Sequence, residues 1–202
     1  MDEIERRRTV ALAGHSGDIA TVRHHGDDQD PTVRATVLGA LQRLDDLGAA
    51  DLLRGLSDPS PIVRRRAAEL VATRPGDEDG LSLLPALADD DASVVEMAAW
   101  ACGERTPPEA GIVAALSLVA TDHDDPLCRE AAVAALGALG QDAGLPAILA
   151  ATTDRPAVRR RAILALAPFA GPDVEAALAT ALEDRDWQVR QAAQDLTGTT
   201  EG

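Results

Sequence analysis

The chain has 202 residues, 46% of them hydrophobic yet only 1% aromatic, with no Tyr and a single Phe. Its apolar volume is therefore Ala, Leu and Val, the filling of closely stacked helices rather than of a sandwich or barrel. A formal net charge of −15 argues against a general nucleic-acid or anionic-membrane binder, whose electrostatic footprint should be basic.

The positive side chains are 19 Arg and no Lys. A GC-rich genome favours Arg, Ala, Gly and Asp without physical purpose, and a high-salt cytoplasm favours acidic, Lys-poor surfaces; the first account is preferred. The N-terminal stretch MDEIERRRTVALAG lacks the long apolar centre of a signal peptide, and no segment has the uninterrupted apolar length of a membrane span. Two cysteines, Cys102 and Cys128, are too few for a disulfide framework. A cytoplasmic protein is expected, monomeric by default.

Along the chain one pattern recurs, written most plainly as DPSPIVRRRAAELV over residues 58–71. Its Arg64 has counterparts at Arg34, Val95, Arg129, Arg159 and Arg190, in steps of 30, 31, 34, 30 and 31 residues, and Arg6 lies 28 before Arg34. A period in this range means a solenoid of helix pairs. The expected architecture is an all-α, right-handed α-solenoid: a leading helix over 3–14, then six helix pairs over about 17–46, 47–75, 76–105, 106–140, 141–170 and 171–198, with a frayed tail at 198–202.

Each pair opens near a Gly or Pro break: Gly17-Asp18, Leu47-Gly48, Gly76-Asp77, Pro107-Pro108, Asp142-Ala143 and Gly171-Pro172. First helices carry apolar stripes such as Leu81, Leu84, Leu87 or Val174, Ala177, Leu178, Ala181. Second helices should start at Asp30-Pro31, Asp58-Pro59, Asp91, Asp125-Pro126, Asp154 and Asp186, where Asp caps orphan amides and Pro fits a turn that needs no donor. Val63, Ala67, Leu70 and Val71 share one buried face. Ala recurs at its centre (Ala67, Ala98, Ala132, Ala162, Ala193), with Thr9 and Val37 in the first two units; bulk there would overpack the stack.

These residues resemble a HEAT-repeat protein, and are most similar to the short bacterial HEAT units of the phycobilin-lyase type. The resemblance covers nearly the whole chain. It implies that an Asp six residues before the Arg ties neighbouring repeats together: Asp28, Asp58 and Asp184 match, Asp89 precedes Val95 instead of Arg, and His123 and Thr153 depart, with Asp124 and Asp154 one residue away. A polar ladder interrupted around repeats three to five is expected.

The resemblance also implies that second helices line a concave binding face. There the column through Arg66 places Met97 in the third repeat and the column through Glu69 places Trp100, one helical turn apart. Arg65, Arg66 and Glu69 flank this spot, and Arg160, Arg161 and Leu164 lie two repeats beyond. An aromatic anchor with Met and a rim of Arg has the composition of a protein-binding hot spot. Two placements stay open for Trp100: exposed as an anchor, or buried by local curvature.

Other chemistries find less support. The triplets Arg6–Arg8, Arg64–Arg66 and Arg159–Arg161 could read phosphates, but Val95, Glu96 and Glu130 break any continuous basic stripe. Iron-dependent HEAT hydroxylases carry His-Glu pairs, and no His-Glu dipeptide occurs here. His24 and His25, before Asp27 and Asp28, are expected as solvated residues closing a first helix, where a cation suits the dipole; His123 reads likewise. Cys102 and Cys128 fall in core columns. No phosphate-binding loop or catalytic triad pattern is found. A non-catalytic scaffold with no cofactor or metal, binding a protein or peptide partner, is therefore expected; a lyase-type or hydroxylase-type role with a cofactor is the alternative, ahead of nucleic-acid binding.

Overall fold

The computed structural model describes residues 1–74 and 80–198. Among them are 13 α-helices and no strand: α1 Glu3–Ser16, α2 Ile19–His24, α3 Pro31–Arg43, α4 Ala49–Leu56, α5 Pro61–Val71, α6 Leu84–Leu87, α7 Ala92–Glu104, α8 Ile112–Asp122, α9 Pro126–Leu139, α10 Leu145–Ala151, α11 Pro156–Ala165, α12 Pro172–Leu182 and α13 Trp187–Thr197. A 3₁₀ turn over Asp142–Gly144 leads into α10. The start expected at Gly76-Asp77 and the tail at 199–202 lie outside the described residues.

The chain divides into two compact units, Met1–Ala98 with Arg105–Pro107, and Ala99–Glu104 with Pro108–Gly202, the boundary falling inside α7. In the first unit α1, α3 and α5 stack side by side, with α2 and α4 against them. The leading helix is thus itself a second helix. In the second unit α9, α11 and α13 stack in one layer, while α8, α10 and α12 form the other. Each unit is a solenoid of helix pairs.

Aliphatic side chains fill both cores. Val10, Val22, Leu41, Leu52 and Leu83 are fully enclosed in the first, and Leu116, Leu136, Ile148, Ile163 and Leu166 in the second. Burial of one such Leu or Ile contributes about 2 kcal/mol. The central small column, Ala67, Ala98, Ala132, Ala162 and Ala193, is wholly inaccessible, so the expected closeness of second helices is realised. Glycine brings them closer still. A Cβ built on Gly137 would lie 2.7 Å from the Cα of Ala165, one on Gly103 3.0 Å from the Cα of Ala135, and one on Gly14 2.8 Å from the Cβ of Ala40.

Two details of the helix starts differ from expectation. Asp30, Asp91, Asp125 and Asp186 do cap α3, α7, α9 and α13. Helices α5 and α11, however, are preceded by Ser60 and Arg155, and Pro61, not Pro59, opens α5. Asp58 and Asp154 are occupied elsewhere, in the ladder below. The third repeat also reduces its first helix to a single turn with Pro85 in it, and Leu83, rather than Leu84, is the enclosed residue.

The ladder joins each second-helix Arg to the Asp of the following repeat. Arg6 meets Asp28, Arg34 meets Asp58 and Arg64 meets Asp89 in the first unit; Arg129 meets Asp154 and Arg159 meets Asp184 in the second. Each guanidinium donates Nε and Nη2 to the two carboxylate oxygens, at 2.6–3.1 Å. This planar match is why the column holds Arg. Nη1 also donates back to a preceding carbonyl, such as Met1 O for Arg6, Asp28 O for Arg34 and Asp154 O for Arg159. The Asp side chain in turn accepts the amide of the capping position: Asp28 from Asp30, Asp58 from Ser60, Asp184 from Asp186.

The interruption is narrower than expected. Asp154, one residue out of register, still reaches Arg129 because its turn is shortened, and it accepts the amide of Arg155 directly. Only Val95 lacks the guanidinium, and it is buried. The Asp place of the following repeat holds His123, whose Nδ1 accepts the Asp125 amide at 3.0 Å and so takes over the turn-closing half of the Asp role.

These carboxylates titrate below their ordinary range. Hydrogen bonds from Arg6, Arg64, Arg129 and Arg159 hold Asp28, Asp89, Asp154 and Asp184 down; burial pushes Asp58 up, and the bond from Arg34, the Ser60 amide and the charges of Arg34 and Arg64 together more than reverse it. A carboxylate with a depressed folded pKa adds stability that is present above the unfolded value of about 4 and lost as pH falls through the folded one. Urea midpoints should therefore lose this contribution only below about pH 4, and the acid loss should be smaller in Asp184→Asn. An equal acid slope in that variant would contradict the assignment.

Candidate interaction face

The residues expected to bind a partner divide between the units: Arg65, Arg66, Glu69 and Met97 belong to the first, and Trp100, Arg160, Arg161 and Leu164 to the second. Trp100 is exposed, at 45% of its surface, which closes the question of its placement. Met97, three residues earlier on α7, is half-buried. Packing of Ala98 and Ala99 into the core turns the helix so that Trp100 faces solvent.

Of the other residues expected to bind, Arg65 and Arg160 are exposed, and Arg66, Arg161 and Leu164 are half-buried. Arg66 pairs with Glu69 at 2.7 Å, one turn along α5, and Arg161 of α11 reaches Glu130 of α9 at 3.4 Å. The first Arg of each triplet, Arg6, Arg64 and Arg159, is held in the ladder and faces no ligand.

The histidines correct one expectation. His24 is exposed, but His25 is buried, with Nδ1 3.5 Å from the ladder carboxylate of Asp28. Its ring packs behind the rung instead of lying in solvent. Cys102 and Cys128 are both buried. Trp187, at the first position of α13, is 65% exposed. Among the described residues no group of three His, Cys, Asp or Glu side chains is disposed to hold a metal ion, and no helix is long and apolar enough to cross a membrane.

One feature was not anticipated from the sequence. In the first unit an open cleft of about 310 Å³ runs across the second-helix face, with Ala11, Gly39 and Ala40 at its floor and His15, Arg43 and Arg66 at its walls. The signal lay four residues beyond the two columns considered: His15 follows Ala11 by one helical turn, and Arg43 follows Gly39 by the same step.

The fold has solved counterparts. The Escherichia coli protein YibA superposes with a TM-score of 0.61 at 19% identity, covering 96% of this chain and 68% of its own. Human deoxyhypusine hydroxylase, solved with glycerol, gives 0.50 at 21% identity, covering 98% and 79%. At these identities the likeness concerns the fold. No curated protein sequence matches the chain. The family profile of HEAT repeats matches residues 49–114 and 80–167, more than half of the length. Together with the stacked helix pairs and their Arg–Asp rungs, this places the chain in the HEAT-repeat family.

Proposed function

We propose that the chain is a cytoplasmic, non-catalytic scaffold that holds a protein or peptide partner on the exposed face of its second helices, with Trp100 as the anchor. The observation that carries this is the 45% exposure of Trp100 on a helix whose Ala98, Ala99, Ala101 and Cys102 are buried. A large aromatic side chain held in solvent is a free-energy cost that partner burial recovers, and Trp is the residue most enriched at binding hot spots. Met97, three residues earlier on α7, adds adaptable apolar surface, and Arg160 and Arg161 are charged residues of the same unit as Trp100.

A second reading is favoured by one observation, the likeness to a hydroxylase among solved structures. It would require metal ligands, and the chain has no His-Glu dipeptide. Metal analysis and absorption spectra of the purified protein test it directly, and stoichiometric iron or a bound chromophore would replace the scaffold reading.

In a Trp187→Phe background, acrylamide should quench the remaining Trp100 efficiently. Affinity capture from native cytoplasm should lose its specific partner in Trp100→Ala, with affinity reduced about tenfold or more, as truncation of a hot-spot residue does. Circular dichroism should show equal folding. An unchanged set of captured proteins would sink Trp100 as the anchor.

A further inference from the structure

The cleft of the first unit has a chemistry of its own. Its floor of Ala11, Gly39 and Ala40 carries almost no side chain. Its walls are cationic. Arg66 lies over Gly39, its Nη2 2.7 Å from where a Cβ would stand, and its Nη1 pairs with Glu69 at 2.7 Å. Arg43 is exposed and, among the described residues, has no ion pair. His15 completes the rim, and the exposed Arg7, Arg8 and Arg65 lie on the same helices α1 and α5.

This is the reverse of the molecule's overall character. The chain carries 34 acidic residues for 19 Arg, and the remaining ladder guanidiniums of the unit are each neutralised by a carboxylate. Arg43, which has no ion pair among the described residues, stands with Arg66 beside a small-residue floor and attracts an anion, while the net charge of −15 repels any long polyanion that must follow the surface beyond the cleft. A short acidic stretch of polypeptide satisfies both conditions.

We propose that this cleft binds an acidic peptide segment of a partner protein, with side-chain carboxylates on Arg43 and Arg66. The site belongs to the first unit and stands or falls without Trp100, which belongs to the second. The probe is fluorescein-labelled hexaglutamate, followed by anisotropy at low salt and again in 0.5 M NaCl, beside a single-stranded oligonucleotide of equal charge. Binding of hexaglutamate should weaken in high salt and fall about tenfold or more in Arg43→Glu. Arg43→Gln should give an intermediate loss. Trp100→Ala and Arg160→Glu should leave it unchanged. Because Arg43 is exposed and unpaired, both of its variants should unfold at the wild-type temperature. Absence of hexaglutamate binding overturns the proposal, as does binding indifferent to Arg43. Tighter binding of the oligonucleotide, lost in Arg43→Glu, would also overturn it and assign the cleft to nucleic acid.

Discussion

Arg159→Ala should destabilise the protein by about 3 kcal/mol, because it strands a mostly buried carboxylate. Arg159 exposes 8% of its side chain and Asp184 15%, the most enclosed pair on the ladder of the second unit. The substitution removes both bonds to Asp184 and the bond to the Asp154 carbonyl, leaving Asp184 with the Asp186 amide alone. Urea denaturation followed by circular dichroism measures it. Removing Asp184 as well should cost less than the sum of the two single losses, since the second deletion discards the stranded charge. The neighbouring Arg160→Ala, exposed and outside the ladder, should stay within about 0.5 kcal/mol of wild type. Equal effects at 159 and 160 would mean that the rungs add nothing to stability.

Gly137→Ala should destabilise by about 2 kcal/mol, although the same change in an open helix would gain about 1. The new methyl would stand 2.7 Å from both Cα and Cβ of Ala165 and 3.0 Å from its carbonyl oxygen, so α9 and α11 would have to separate. Gly39→Ala makes the useful contrast. There the methyl meets only the tip of Arg66, which can swing away, and the helix should gain up to about 1 kcal/mol. Opposite signs for one chemical change would show that backbone approach, not helix propensity, sets the Gly content of these helices. A gain at both positions would refute the close packing of α9 on α11.

Much of this fold could be read before any coordinates existed. The central Ala column was legible because a small residue returning in register at every repeat has few explanations other than a shared packing layer. The caps at Asp30, Asp91, Asp125 and Asp186 were legible for the same reason. Asp58 and Asp154 were not, since one residue type serves both the cap and the ladder, and only geometry tells which helix end it faces. The rung at Asp154 was hidden by a one-residue slip in its turn. Gly14, Gly103 and Gly137 are silent in sequence because a glycine inside a helix looks like a weakness until the facing helix is known. The candidate site was legible in residue type at Met97 and Trp100, but exposure depends on how the neighbouring residues pack. The cleft was missed because Arg43 and His15 lie a turn beyond the columns that were compared.

The ladder has a consequence for how the chain acquires its structure. Its rungs join residues 22, 24 or 25 positions apart, so every ionic tie is closed by the repeat that comes next. None has to wait for a distant segment. Topology of this kind folds rapidly and can nucleate at many places. On a ribosome, each Arg would meet its Asp as soon as one further repeat had cleared the exit tunnel, and the protein would consolidate stepwise from its first helix while its last was still being made.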